Sequence, residues 1–303
     1  MNDGKKDDRL SVVTIITAIL IAAIWGFNFI VIKEGVSGVP PLFLAALRFF
    51  FCALPAVFFV KRPKASLWKV ALYGLLLGVG EFGFLFSAIK LGAPPGLASL
   101  LLQSQAFFTA ILAVAFLGER LKSHNVIGMA LAGIGLAIFA VAALRGKGGG
   151  LTLPLLGMII VAALGWAGAN VATRKMPGES ALSLMVWSSL FSPLPLAALS
   201  LLLEGPARIA GAFTHITPLT VGALAYLVLL STLLAYGLWN RLILRHGASR
   251  VAPFSLLVPV FGCLSAALIY GEAFGLIDAI GSALIVLGLL LHAFGGKLLP
   301  KRS

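Results

Sequence analysis

The stretch Phe116–Leu136, FLGERLKSHNVIGMALAGIGL, returns late in the chain as Ile269–Leu289, IYGEAFGLIDAIGSALIVLGL. A shift of 153 residues lays Gly118-Glu119 on Gly271-Glu272, Gly128 on Gly281 and Gly135 on Gly288. Arg120 and Lys122 follow the first copy, whereas the second is followed by Asp278 and carries no base. The segment before each copy aligns as well. GLASLLLQSQAFFTAILAVAFLGE, from Gly96, lies on SRVAPFSLLVPVFGCLSAALIYGE, from Ser249, at the same offset. Trp25 and Lys33 fall on Trp166 and Arg174 at an offset of 141, and the longer second-half connection EGPARIAGAFTHITP absorbs the difference. The chain is therefore read as a duplication.

Its solvent follows from composition. The 303 residues are 60% hydrophobic and only 11% charged, with a mean hydropathy of +1.06. A soluble domain carries about 25% charge. So much apolar surface cannot be hidden inside one chain, and the bilayer must solvate it. Soluble enzymes and nucleic-acid binders are excluded on that ground, despite a net charge of +13. The apolar run from Ser11 to Ile32 is too long for a signal peptide and lacks a small-residue cleavage site, so it reads as an uncleaved first span. Cys52 and Cys263 sit in apolar runs without ligand spacing and read as small packing residues.

A crossing helix needs about 20 apolar residues. Breaks at charged, proline and glycine clusters leave ten spans: 12–33, 40–60, 67–90, 94–117, 124–144, 152–174, 180–203, 218–242, 249–270 and 276–294. Ten spans put both termini on one side. Of the 23 basic residues, Lys33, Lys90, Arg145, Lys147 and Arg208 fall on the opposite side, Arg48 lies within span two, and the other 17 share the side of the termini. The positive-inside rule makes that side the cytoplasm. Each half, 1–148 and 149–303, holds five spans. Because five is odd, the second copy enters the membrane upside down, and the missing bases after Gly271-Glu272 are a sign of topology. The expected fold is an all-α integral membrane protein: ten transmembrane helices as two inverted five-helix repeats around a central cavity. Inverted repeats are a recurring plan for secondary transporters, with the site near the midplane.

The phrases WGFNFIVIK, LAALRF and FSAIKLGAPPGLASLLLQSQAFFTAILAVAFLGERL, with their second-half counterparts, resemble the ten-helix EamA-type exporters of the drug/metabolite transporter superfamily. The duplicated Gly-Glu closing spans four and nine is the most specific part of the resemblance. It implies a helical bundle with a central cavity and export of amino acids or other small metabolites, bacterial aromatic amino-acid exporters being a near comparison. Many of these exporters have proline after the glutamine in span four. Here Gln105-Ala106 departs from the pattern while Pro259 keeps it, so the expectation of a kink in span four loses its support.

Polar groups within the bilayer are costly and rank first as site candidates. Glu81 is the one acidic residue deep in a span, read as a cation partner or proton-coupling group, or as a structural carboxyl paired with Arg48. Arg48 could meet a substrate carboxylate, or serve as a structural pair or snorkel to an interface. Trp25 with Asn28, and Trp166 with Asn170, occupy one face each of spans one and six. Together they would make an aromatic box with amide groups, suited to a small apolar or aromatic zwitterion. Interfacial tryptophans and packing asparagines are the competing reading. Ser99, Gln103 and Ala106 form a small, polar stripe on span four, with Gln105 directed elsewhere. Trp187 and Ser188 on span seven, and Tyr236, Trp239 and Asn240 on span eight, complete the substrate-binding candidates, with the serines also open to a packing role. Pro94, Pro95, Pro253 and Pro259 are candidates for gating or helix kinks.

His124, His215, His246 and His292 lie near span ends without ligand spacing, so no metal is expected, and no other cofactor. No Walker-type motif is present. Partners are a small-molecule substrate and the lipid bilayer, with no nucleic acid, in a monomer or homodimer of a bacterial inner membrane. The leading function is secondary export by alternating access. The rivals are a transporter of another class of cargo, such as nucleotide-sugars or drugs, a channel or receptor, and an intramembrane enzyme. The last would need a positioned nucleophile and base or an acidic metal cluster.

Overall fold

The computed structural model describes residues 10–298 except 215 and 274. Among these residues, nine helices are long and apolar enough to cross a bilayer, and a bent pair supplies the tenth. In chain order they are α1 (Val12–Gly38), α2 (Pro41–Phe58), α3 (Leu67–Lys90), α4 (Pro95–Leu117) and α5 (Ser123–Leu144). The second half follows with α6 (Leu153–Arg174), α7 (Ala181–Ser188 and Pro193–Leu203, bent by 44°), α8 (Pro218–Ile243), α9 (Pro253–Tyr270) and α10 (Leu276–Gly295). No strand occurs among the described residues.

Two boundaries differ from expectation. Helix α1 runs past Lys33 to Gly38, because Lys90 Nζ donates to the carbonyls of Val36 and Ser37 at 2.5 and 3.3 Å and satisfies the last turn. Helix α7 is broken at residues 189–192, ahead of Pro193, whose ring cannot share its amide with the preceding turn. There Ser192 Oγ donates to the Gly74 carbonyl of α3 at 2.8 Å. The second-half connection is also more than a linker, since it carries the short helix Pro206–Thr214.

The opening repeat builds the seam between halves. Helices α5 and α10 meet where a Cβ on Gly128 would lie 2.6 Å from the Gly288 carbonyl oxygen, and one on Gly288 would lie 2.5 Å from that of Gly128. A Cβ on Gly135 would likewise lie 2.7 Å from the Gly281 oxygen. Shifting by 153 sends Gly128 to Gly281 and Gly135 to Gly288, so the contact Gly128–Gly288 becomes Gly281–Gly135. A contact set that maps onto itself between antiparallel helices marks a two-fold axis, and hence an inverted repeat.

The helix ends obey the same axis. Gly118 and Gly271 take left-handed φ of 68° and 64°, which glycine adopts without Cβ strain. The N–H of Glu119 then reaches back to Ala113 O at 3.3 Å, and that of Glu272 to Ala266 O at 3.4 Å. Midway, α4 tightens into a 3-10 turn at Leu102–Ser104 and resumes as α-helix at Gln105. Helix α9 does so at Ala252–Leu257 and resumes at Val258, the dyad mate of Gln105. The break in α4 thus forms without proline. Of the predicted kink residues, Pro94 and Pro95 instead open α4 as its cap and first residue, while Pro253 lies within the 3-10 stretch of α9 and Pro259 just after it.

Helices α3 and α8 each contain a π-helical stretch, Leu76–Gly83 and Tyr226–Leu234. Such widened turns gather at functional sites. Gly165 of α6 lets the first of them come close: a Cβ there would lie 2.5 Å from the carbonyl carbon of Gly80. Second-half glutamates stitch the halves together by capping first-half helices. Glu204 accepts from the N–H groups of Leu42 and Phe43 at 2.8 and 3.3 Å, Glu179 from Ala65 at 2.7 Å, and Glu272 from Gly96 at 3.1 Å.

Candidate functional site

The two π stretches and the two broken helices surround a central cavity of about 400 Å³. Its wall includes Trp25 and Asn28 from α1, Arg48 from α2, Glu81 from α3, Ser99, Gln103 and Gln105 from α4, Trp166 and Asn170 from α6, and Ser231, Tyr236 and Trp239 from α8. Nine of the residues expected to bind substrate are therefore gathered in one place, together with Arg48.

Trp187 and Ser188 are not. Trp187 Nε1 donates to the Val60 carbonyl at 3.0 Å, and Ser188 Oγ to Met185 O at 3.1 Å. Gly74 of α3 packs against the Ser188 backbone, so this part of α7 is spent on helix packing. Gln105 was expected to point away but lines the cavity beside Gln103. The 3-10 turn between them changes the angular spacing that an unbroken helix would impose. Ser231 and Ser255 also line it and escaped the sequence reading, because serine in an apolar span carries no signal that separates lining from packing. The side chain of Asn240 and the whole of His215 lie outside the described residues.

Arg48 is 2% exposed. Its Nη2 donates to Thr232 Oγ1 at 3.1 Å, and its guanidinium lies 3.9 Å from the centre of the Phe82 ring. Nε and Nη1 are buried without a hydrogen-bond partner. Thr232 is aimed by its own bond to Leu227 O at 2.7 Å, across the π stretch of α8. Glu81 is 4% exposed, and its carboxylate makes no hydrogen bond or ion pair among the described residues. The structural Arg48–Glu81 pair offered as an alternative is thus not formed within ion-pair distance.

Aromatic rings enclose the other side. Trp25 stands 5.3 Å from Tyr236 and 5.2 Å from Trp239 between ring centres, in tilted and edge contacts. Its Nε1 donates to Ser231 O at 3.0 Å, which fixes the indole against α8. Asn170 Nδ2 donates to Gln105 Oε1 at 2.8 Å, whereas Asn28 Oδ1 is buried without a partner. The cavity therefore offers a cation with free donors, a separate carboxylate, an unfilled amide oxygen and four large rings. No group of three or more potential metal ligands occurs among the described residues.

Gln105 and Asn170 also line a second cavity of about 670 Å³, which leads to Glu119 and Arg174 at the ends of α4 and α6. Arg174 Nη1 and Glu119 Oε1 form a 2.6 Å ion pair there. At the opposite end of the bundle, burial pushes the Glu272 carboxyl above its ordinary range, against the opposing pull of the Gly96 N–H and Lys33.

The EamA-like transporter family model matches residues 12–141 and again 153–294. The chain belongs to the EamA-like transporter family. The two matches coincide with the five-helix halves seen in the fold. A "Probable amino-acid metabolite efflux pump" of Salmonella typhimurium is 44% identical over 92% of this chain and 94% of its own length. One of the same description from Escherichia coli is 42% identical over the same shares. A solved crystal structure at 20% identity superposes with a TM-score of 0.63 over 96% of this chain and 99% of its own, a likeness of fold.

This EamA-like chain also has a larger cavity, about 830 Å³, at the end of the bundle near Lys90 and Arg208. Leu91 and Leu203 in its wall are 66% and 72% exposed. It holds none of the sequence-predicted binding residues.

Proposed function

We propose that this EamA-like transporter exports amino acids, aromatic or otherwise apolar, from the cytoplasm across a bacterial inner membrane by alternating access. In this reading the halves 1–148 and 149–303 are the units that move, and both termini are cytoplasmic. The observation that carries it is Arg48, a buried guanidinium with two unpartnered donors in the wall of an aromatic cavity. Burying such donors unsatisfied is costly, and a carboxylate answers one of them, together with the second N–H of Nη2, in a forked charge-assisted contact. Glu81 and the ring faces receive the α-ammonium group. Trp25, Trp166, Tyr236 and Trp239 pack around the side chain. Ser99, Gln103, Asn28 and Asn170 supply the polar remainder.

A cavity of about 400 Å³ lies at the small end of ligand sites, which run from about 300 to 1,000 Å³. It suits one amino acid better than a nucleotide-sugar. The relatives described as probable amino-acid metabolite efflux pumps support the same cargo. The excess of basic residues on the side of the termini supports the orientation. Glu81 is assigned the coupling role as the carboxyl that a proton and an ammonium group would share.

The test is uptake by proteoliposomes of the purified chain, with a panel of labelled amino acids and nucleotide-sugars. Saturable movement of aromatic or branched amino acids is expected. Glu81→Gln should leave that movement insensitive to an imposed pH gradient. Saturable transport of nucleotide-sugars with none of amino acids would refute the cargo, and a gradient response unchanged by Glu81→Gln would refute the coupling role.

A further inference from the structure

The two halves agree in sequence and in helix ends but not in how they close. On α4, Gln105, Ala106, Thr109, Ala110 and Val114 line the 670 Å³ cavity. Their dyad mates on α9 are Val258, Pro259, Gly262, Cys263 and Ala267, of which Val258, Pro259 and Gly262 are buried and Cys263 and Ala267 half-buried. A Cβ on Gly262 would lie 2.4 Å from Ser99 Oγ, and Cys263 Sγ donates to Gly96 O at 3.4 Å. The first half of α4 thus packs along the second half of α9, whereas the first half of α9 lies against α1 and α8. The path is open at one end of the bundle and shut at the other.

The duplicated glutamates stand in matching disagreement. Glu272, at the shut end, caps the backbone N–H of Gly96 at 3.1 Å, while Lys33 rests over the Tyr270 ring, 3.7 Å from its centre. Glu119, at the open end, caps no amide among the described residues and pairs instead with Arg174. The dyad sends Gly96 to Ser249 and Lys33 to Arg174. Each glutamate thus has two partners available, a backbone amide in the opposite half and a base on the opposite half's first helix.

We propose that Glu119 and Glu272 are the alternating closing residues of the transport path. Glu272 holds the Gly96 amide when the end remote from the termini is shut. Glu119 takes the Ser249 amide when the other end shuts, and Glu272 then pairs with Lys33 as Glu119 now pairs with Arg174. This rests on the alternating-access reading and names the groups that exchange.

The test uses the full chain in nanodiscs without substrate, in a Cys52→Ala, Cys263→Ala background. Val114→Cys or Ala267→Cys reports each end through its rate of labelling by a water-soluble maleimide. Glu272→Ala should speed labelling at 267 and slow it at 114, and Glu119→Ala should do the reverse. The ratio of the two rates should move by roughly tenfold, the weight of one charge-assisted hydrogen bond. Should an alanine variant fail to fold, the near-isosteric Glu→Gln change at the same position should move the ratio in the same direction by less. Rates that rise together, or do not move in folded protein, overturn the proposal. Because no cargo enters the assay, a failed transport experiment leaves this result standing on its own.

Discussion

Arg48 shows most directly how one residue can define a site. Its Nη2 bond to Thr232 and its place on the Phe82 ring position the guanidinium, and both leave Nε and Nη1 free. A carboxylate bound there gains charge-assisted hydrogen bonds worth about 1.5–3 kcal/mol. Arg48→Gln should therefore weaken the apparent affinity for amino acids by roughly ten- to a hundredfold, read from the concentration dependence of uptake. Arg48→Lys should recover only part of the loss, since a point ammonium cannot make the forked contact. Full affinity in both variants would remove Arg48 from carboxylate recognition. The residue's importance was legible in the sequence, because an arginine inside an apolar span is expensive wherever it points. Its partners were not. Thr232 lies 184 positions away, and a threonine in a leucine-rich span has no pattern that marks it. Trp187 and Ser188 show the opposite failure. They have the same chemistry as Trp25 and Ser99 and are bonded to backbone carbonyls in the same way, so only their place outside the cavity separates them.

At the scale of elements, glycine spacing decides how closely helices approach. In α5, Gly128 and Gly135 face carbonyl oxygens of α10, while Gly133 of the same helix faces open space. Gly128→Ala should lower stability by about 1–3 kcal/mol, the usual cost of forcing atoms into a packed contact. Gly133→Ala should be neutral or stabilising by up to about 1 kcal/mol, from helix propensity. Thermal unfolding of the detergent-solubilised chain measures both. Equal effects of the two changes would contradict the seam. The glycine heptads were visible in the sequence as an echo, but their antiparallel pairing was not. The break in α4 has no mark in the sequence for a similar reason. A proline announces a kink, whereas the turn at Leu102–Ser104 forms among leucines, a glutamine and a serine and is visible only in the backbone. That turn also brings Gln105 round to the cavity.

At the scale of the molecule, the two halves are oppositely oriented copies in a bilayer that treats its two sides differently. With the termini inside, a green fluorescent protein fused after Ser303 should fluoresce, and alkaline phosphatase inserted in the Arg145–Leu151 connection should be active. Reversed reporter signals would invert the orientation and make the open end face outward. The span count and the inversion could be read from sequence, and the proposed side of the termini rests on it too, because each is a sum over many residues: apolar length, the offsets of 141 and 153, and the uneven share of 23 basic residues. Such sums tolerate error at any one position. Which end of the path is open is of another kind. The α4 and α9 faces are near-copies, so sequence ranks them alike, and only the packing of Ser99 on Gly262 against the unfilled space beside Thr109 separates them. Sequence by itself determined a duplicated, inverted ten-span bundle with polar groups at its middle, because hydrophobic burial and charge placement follow composition along the chain. Tertiary structure decided which of those groups meet, and which of two equivalent closures is made, because both depend on atoms brought together from opposite halves.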